Sequence, residues 1–168
     1  MHEVTPTKFR YSLITISTSR YEYLIKKRIY PRDESGDFIR ERLRDYELLF
    51  YTIIPDDYGI IQSTINYSIR KHKPDVIITC GGTGLSKTDV TYEAVSDLVD
   101  KEIPGFGEFF RNKSYSSVKG ASMITRAFAG IIEDTLIFSI PGSLDAVRIG
   151  MDLILDQISH LIMHVKGA

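Results

Sequence analysis

A chain of 168 residues can bury one substantial core and is too short for two ordinary domains, so a single domain over 1–168 is expected. With 43% hydrophobic and 26% charged residues and a formal net charge of −1, the composition excludes a disordered tail or a collagen-like fibre and carries no nucleic-acid footprint. Cys80 is the single cysteine, so no internal disulfide can form. No apolar run approaches the ~20 residues of a membrane span, and neither a signal nor a transit peptide is evident at Met1 to Thr7, so a cytoplasmic protein is expected.

The apolar, β-branched run Phe9 to Thr18 predicts a buried first strand whose end carries the hydroxyls of Ser17, Thr18 and Ser19. In open α/β sheets ligands bind beyond the carboxyl ends of the strands, so these are candidate phosphate or sugar contacts; simple punctuation of the strand end is the alternative. Tyr21 to Arg32 places Lys26, Lys27, Arg28 and Arg32 among aromatic and aliphatic residues. It reads as a solvated loop or a subunit contact, with a basic flap over a polyphosphate as the functional alternative. Asp33-Glu34-Ser35-Gly36-Asp37 then gives a helix-cap signal, followed at helical spacing by Phe38, Ile39, Leu43 and Tyr46. Leu48 to Ile54 is a second strand, stopped by Pro55-Asp56-Asp57 because proline cannot donate to a ladder. Asp56 or Asp57 caps the next helix, whose Ile61, Ile65 and Ile69 share one face.

Asp75 to Cys80 is a third strand, and it runs directly into Gly81-Gly82-Thr83-Gly84 and then Asp89-Val-Thr-x-Glu93, read as a helix start. Strand, glycine turn and helix in that order make a phosphate cradle, since glycines leave backbone N–H groups uncovered beside a helix N-terminus. An acid at such a place, Asp89, is unfavourable unless a cation lies between it and the phosphate, which points to Mg²⁺ and a nucleotide or phosphoester. Cys80 reads as a small buried hydrophobe. Phe106, Phe109 and Phe110 recur at helical spacing after Ile103-Pro-Gly, a stripe expected in a core or a subunit interface. Ser114 to Gly120 reads as a polar loop and Ser122 to Arg126 as a short helical turn; Ala127 to Ile132 and Thr135 to Ile140 form a strand pair split at Glu133-Asp134. Pro141-Gly142-Ser143 opens a long helix with Val147, Met151, Ile154, Leu155, Ile158 and Ile162 on its apolar side.

Several motifs are absent. The glycine turn is neither a Walker loop nor a dinucleotide fingerprint, there is no GxSxG elbow, and His160 and His164, four apart, lack the glutamate of a zinc-protease motif. Local chemistry therefore reaches a phosphate-binding α/β protein with one or two acids placed for Mg²⁺.

The segment Gly81-Gly-Thr-Gly-x4-Asp89-Val-Thr-x-Glu93-Ala94 resembles the MoaB/MogA family of molybdenum-cofactor biosynthesis, also seen as the G domain of gephyrin. Further matching blocks follow in the right order: Ser17-x-Ser19-Arg20, Ser35-Gly36-Asp37, Pro55-Asp56, Ile103-Pro-Gly-Phe-Gly-Glu, Arg126-Ala-x-Ala-Gly130 and Pro141-Gly-Ser-x-x-Ala-Val-Arg148. The resemblance implies a three-layer α/β/α sandwich with a mostly parallel sheet, assembled as a homotrimer or homohexamer. It implies binding of molybdopterin and ATP, transfer of AMP to the terminal phosphate of the pterin, and service to a molybdenum or tungsten pathway alongside other cofactor-biosynthesis proteins. A non-catalytic pterin-binding or scaffold protein of the same pathway is the alternative. The family's important acids fall on Asp56 and Asp89, which would position Mg²⁺ directly or through water. Ser17, Ser19, Ser35, Gly36, Gly81, Gly82, Thr83 and Gly84 would make the nucleotide side, and Thr125 with Pro141, Gly142 and Ser143 the pterin side. The chain departs from the family at Thr18, where an acid is usual, at Thr88, where a basic residue is common, and in a longer Tyr21 to Arg32 segment.

Overall fold

Strand residues alternate between two faces of a sheet, and here both faces are apolar because both are covered. The computed structural model describes residues 8–117 and 120–167. Six strands, β1 (Arg10–Ile16), β2 (Glu47–Ile54), β3 (Val76–Cys80), β4 (Lys101–Glu102), β5 (Phe128–Ile132) and β6 (Thr135–Ile140), form one sheet in the order β2-β1-β3-β6-β5-β4. Strands β2, β1, β3 and β6 are mutually parallel, β5 runs antiparallel to β6, and β4 antiparallel to β5. The helices are α1 (Thr18–Lys27), α2 (Glu34–Arg42), α3 (Tyr58–His72), α4 (Thr91–Ser96), α5 (Pro104–Ser117) and α6 (Leu144–Lys166).

Leu13, Ile78 and Phe138 face one layer, built from Ile39 of α2, Phe106 and Phe110 of α5 and the apolar stripe of α6. Their neighbours Ile14, Ile77 and Ile137 face the other, built from Ile61, Ile65 and Ile69 of α3 with Ala94 and Val95 of α4. This is the three-layer α/β/α arrangement with a mostly parallel sheet that the family resemblance implies. Two pairs of hydroxyls inside the layers satisfy each other: Ser68 donates to Ser12 (2.8 Å) and Thr79 to Ser139 (2.8 Å).

Some elements differ from the sequence reading. Tyr21 to Arg32 is largely helix, since α1 starts at Thr18 on an N-cap supplied by Ser17 and ends at Arg28, which adopts a left-handed conformation. No residue of α1 is fully buried, and although Tyr21, Leu24 and Ile25 recur at helical spacing, the run of basic residues beside them reads as a loop. Helix α2 stops at Arg42, short of Tyr46. Helix α5 continues through Ser117 into the stretch read as a polar loop, of which residues 118–119 lie outside the described residues, as does Met1 to Thr7. The two-residue strand β4 carried no periodic signal, and Ser122 to Arg126 contributes only a single 3₁₀ turn, Ala121–Met123.

Candidate functional site at the carboxyl edge of the sheet

Parallel strands deliver their following loops to one edge. Ser17 follows β1, Asp56 follows β2, the glycine turn follows β3, and Pro141 to Ser143 follow β6. Because β5 is antiparallel, its entry at Arg126 and Ala127 comes to the same edge, as does the exit of β4 at Ile103.

The glycine turn is held tightly from below. Gly81 has φ of 115°, and a Cβ there would lie 2.2 Å from the Ile16 carbonyl oxygen, so the turn passes over the end of β1 only without a side chain. Gly82 has φ of 70°, and its missing Cβ would meet Thr91 Oγ1 at 2.2 Å and Asp56 Oδ1 at 3.0 Å. Thr91 ties the turn to α4, its hydroxyl donating to the Gly81 carbonyl (2.9 Å) and its N–H to that of Gly82 (3.1 Å). The Gly81 N–H donates to Ile140 (2.9 Å), so this glycine shapes the turn and is not one of the free phosphate donors expected of it.

Two carboxylates stand against the turn. Asp57 takes the capping role, accepting from Ile60 N–H (2.8 Å), which releases Asp56 for another task. Asp56 Oδ2 accepts from the N–H and the hydroxyl of Thr18 (3.1 and 2.8 Å), and its own N–H donates back to Thr18 Oγ1 (3.0 Å). Asp89 does not cap α4, where Val90 holds the N-cap position without a side-chain bond. Its Oδ2 instead accepts from Ser86 N–H (3.0 Å) and lies 2.7 Å from where a Gly84 Cβ would be. Among the described residues neither acid forms an ion pair, although seven other acidic residues do.

Arg126, which the sequence marked only as part of a family block, proves to be the strap on the other side of the turn. Its N–H donates to the Thr83 carbonyl (2.8 Å), Nε to that of Gly84 (3.1 Å) and Nη2 to that of Asp89 (3.0 Å). Nη1 pairs with Glu93, and the guanidinium lies over the Tyr92 ring. The hydrogen bond from Arg126 holds the Glu93 carboxyl below its ordinary range. A lone arginine two residues before a strand gives no sequence signal of contacts some forty positions away.

Further along the edge, a cavity of about 420 Å³ is lined by Tyr92, Glu102, Arg111, Thr125 and Arg126, among others. Thr125 Oγ1 is buried and makes no hydrogen bond, a costly state unless a ligand completes it.

The remaining predicted positions are largely engaged in building the edge. Asp33, buried at the start of α2, accepts from Thr15 Oγ1 (2.6 Å), Tyr51 OH (2.8 Å) and Gly36 N–H (3.1 Å). Burial, and then the bond to Asp33, push the Tyr51 hydroxyl far above its usual value. A side chain at Gly36 would collide with the Asp33 carboxylate, which accounts for that glycine. Ser35 Oγ donates to the Gly142 carbonyl (2.8 Å), and Gly142 in turn lies against Gly81. Ser143 caps α6 through Ala146 N–H (3.3 Å). Ser17 Oγ lies 3.4 Å from Ser19 Oγ at the head of α1. Cys80 is buried beneath, its Sγ 3.8 Å from the Pro141 carbonyl and its thiol pushed up to about 12 by burial. That matches its reading as a small hydrophobe.

Comparison with known proteins identifies the family. Residues 12–160 match the family model described as "Probable molybdopterin binding domain". The chain is 42% identical over 160 residues to molybdenum cofactor biosynthesis protein B of Bacillus cereus, covering 93% of this chain and 90% of that one. It is 37% identical over 166 residues to the molybdopterin adenylyltransferase of Pyrococcus furiosus, covering 96% and 94%. The crystal structure of the tungsten cofactor synthesizing protein MoaB from the same organism superimposes with a TM-score of 0.83 at 36% identity, over 96% of this chain and 99% of that one. With a family model spanning residues 12–160 and relatives 37–42% identical over more than nine-tenths of its length, the chain belongs to the molybdopterin-binding domain family.

Proposed function

We propose that the chain is a molybdopterin adenylyltransferase, working as one domain over residues 1–168 in the cytoplasm. A terminal phosphate oxygen of molybdopterin attacks the α-phosphorus of ATP, the bond from that phosphorus to the bridging oxygen breaks, and pyrophosphate leaves with the electron pair. The nucleophile is already an anion, so no general base is required, and the rate must come from alignment and charge neutralisation. Such chemistry suits an edge built of glycines, hydroxyls and carboxylates.

The observation that carries this reading is the state of Asp56 and Asp89. Both lean on the glycine turn, and both are fixed by neutral donors with no ion pair among the described residues. Their negative charge is thus left for a cation. Hard carboxylate oxygens fit Mg²⁺, which commonly uses one or two carboxylates and completes its shell with phosphate and water. Asp56 and Asp89 would hold the ion; when bound, it supplies charge neutralisation at the ATP phosphates. Ser17, Ser19 and the turn residues Gly82, Thr83 and Gly84 form the nucleotide side, and Thr125 beside the 420 Å³ cavity the pterin side.

Self-association as a homotrimer or homohexamer is part of the same proposal. It is supported by an apolar groove of about 470 Å³ between α5 and α6 and by Phe109 beside it, 68% exposed. Among the described residues no helix is long and apolar enough to cross a membrane. Purified protein given molybdopterin, ATP and Mg²⁺ should yield adenylylated pterin and pyrophosphate, scored by mass spectrometry. Tight pterin binding without product would refute the transfer, and so would ATP turnover indifferent to pterin.

A further inference from the structure

Away from the carboxyl edge, the last two turns of α6 carry His160 and His164 on one exposed stripe. Their Nε2 atoms are 3.2 Å apart, with ring centroids 4.5 Å apart and planes at 82°. Histidine binds zinc at about 2.0–2.1 Å, so two such bonds place their nitrogens about 2.9 Å apart at a right angle and about 3.3 Å apart at a tetrahedral one. The observed spacing falls between these limits. The pair therefore has the bite of a bidentate ligand before any metal is added.

The surroundings favour a cation. The C-terminal turns of a helix carry partial negative charge. The one lysine of these turns, Lys166, is drawn off to Asp75, 2.5 Å away. Asp156 stands one turn before His160 on the same stripe and is exposed. Neutral imidazole prefers borderline cations such as Zn²⁺ and Ni²⁺ to Mg²⁺, which keeps this site chemically separate from the carboxylates at the glycine turn.

We propose that His160 and His164 form a surface chelate for Zn²⁺ or Ni²⁺, with water in the remaining coordination positions. Among the described residues no third His, Cys, Asp or Glu is placed to join them, so the site is weaker than a closed structural zinc site. Its effect is to lock two consecutive turns at the end of α6, beside the Lys166–Asp75 pair that anchors that end to the sheet.

The test is calorimetric titration of Zn²⁺ into the untagged full chain in excess Mg²⁺, which keeps the hard carboxylate sites occupied. One equivalent should bind with a Kd in the micromolar range. His160→Ala and His164→Ala should each weaken binding at least tenfold. Zn²⁺ should raise the melting temperature of the wild type and leave that of the double variant unchanged; equal melting temperatures in metal-free buffer would show that the variants fold. Unaltered affinity in both single variants overturns the proposal. So does no binding by the wild type below millimolar Zn²⁺, or half an equivalent bound with metal-induced dimerisation.

Discussion

The two edges of the sheet use the same side chain in opposite ways. At the amino edge Asp75 is buried, accepting from Arg10 N–H (2.8 Å) and Lys166 Nζ (2.5 Å), with Arg10 Nε 3.7 Å away. Its charge is spent within the protein. At the carboxyl edge Asp56 and Asp89 are fixed just as definitely, but by a threonine and by backbone N–H groups. Neutral donors orient a carboxylate without cancelling its charge. One edge is thus built to close the fold, where α6 returns to β1 and β3, and the other to keep negative charge available beside an anion cradle. A cation is what reconciles acids with phosphates at such a place.

The sharpest way to break this comparison is to remove the charge and keep the shape. Asp56→Asn and Asp89→Asn should each lower kcat for adenylyl transfer by about 10²–10³-fold, the scale of losing one preorganised electrostatic group. Pterin binding should be retained, because the cavity at Thr125 is untouched. Wild-type turnover in both variants would remove these residues from the mechanism.

Next in size is Arg126. Hydrogen bonds from a charged donor are worth about 1.5–3 kcal/mol each, and this guanidinium directs two at the carbonyls of Gly84 and Asp89. Arg126→Ala should therefore cost about 10–100-fold in kcat/KM for ATP, measured by initial rates. Arg126→Lys can restore the pairing with Glu93 but not both carbonyl contacts, and should fall between. Thr18→Val acts on the opposite wall, removing one of two donors to Asp56. A loss of about 1 kcal/mol, near fivefold in the same constant, is expected. Because each variant loosens a different acid, a double-mutant cycle reads whether the two walls grip one ligand: additivity would separate them, and coupling would join them.

Much of this edge was legible from residues alone, and the reason differs by element. The glycine turn announced itself because a strand, three glycines and a helix start follow in order, and Gly81 and Gly82 adopt the positive-φ backbone that only glycine takes easily. The long helix after Ser143 and the helix with Ile61, Ile65 and Ile69 were legible through their period. Between Asp56 and Asp57 the local sequence left the capping role open, and only the fold shows that Asp57 takes it while Asp56 turns to Thr18. The contacts of Arg126, and those of Asp33 with Thr15 and Tyr51, were beyond reach for a related cause. They depend on partners brought near by strand order, which no local window contains. Helix α1 was missed because its basic run drew the reading, although Tyr21, Leu24 and Ile25 already stood at helical spacing.

The smallest expected effect on transfer, and the clearest contrast, belongs to Asp75. Burial alone would raise its carboxyl value, but the Lys166 hydrogen bond, the Arg10 N–H and the two positive charges outweigh burial and lower it from 3.8. A carboxylate whose value is depressed by folding stabilises the fold above its unfolded value and loses that contribution as pH falls through the folded one. Asp75→Asn should therefore lower the melting temperature at neutral pH by several degrees, corresponding to about 1–2 kcal/mol. The gap between wild type and variant should narrow as pH drops below 3.8, where the unfolded chain already binds the proton. Adenylyl transfer at a permissive temperature should be unchanged. A variant with native stability but slowed transfer would mean that charge at the amino edge reaches the chemistry, and the division between the two edges would fail.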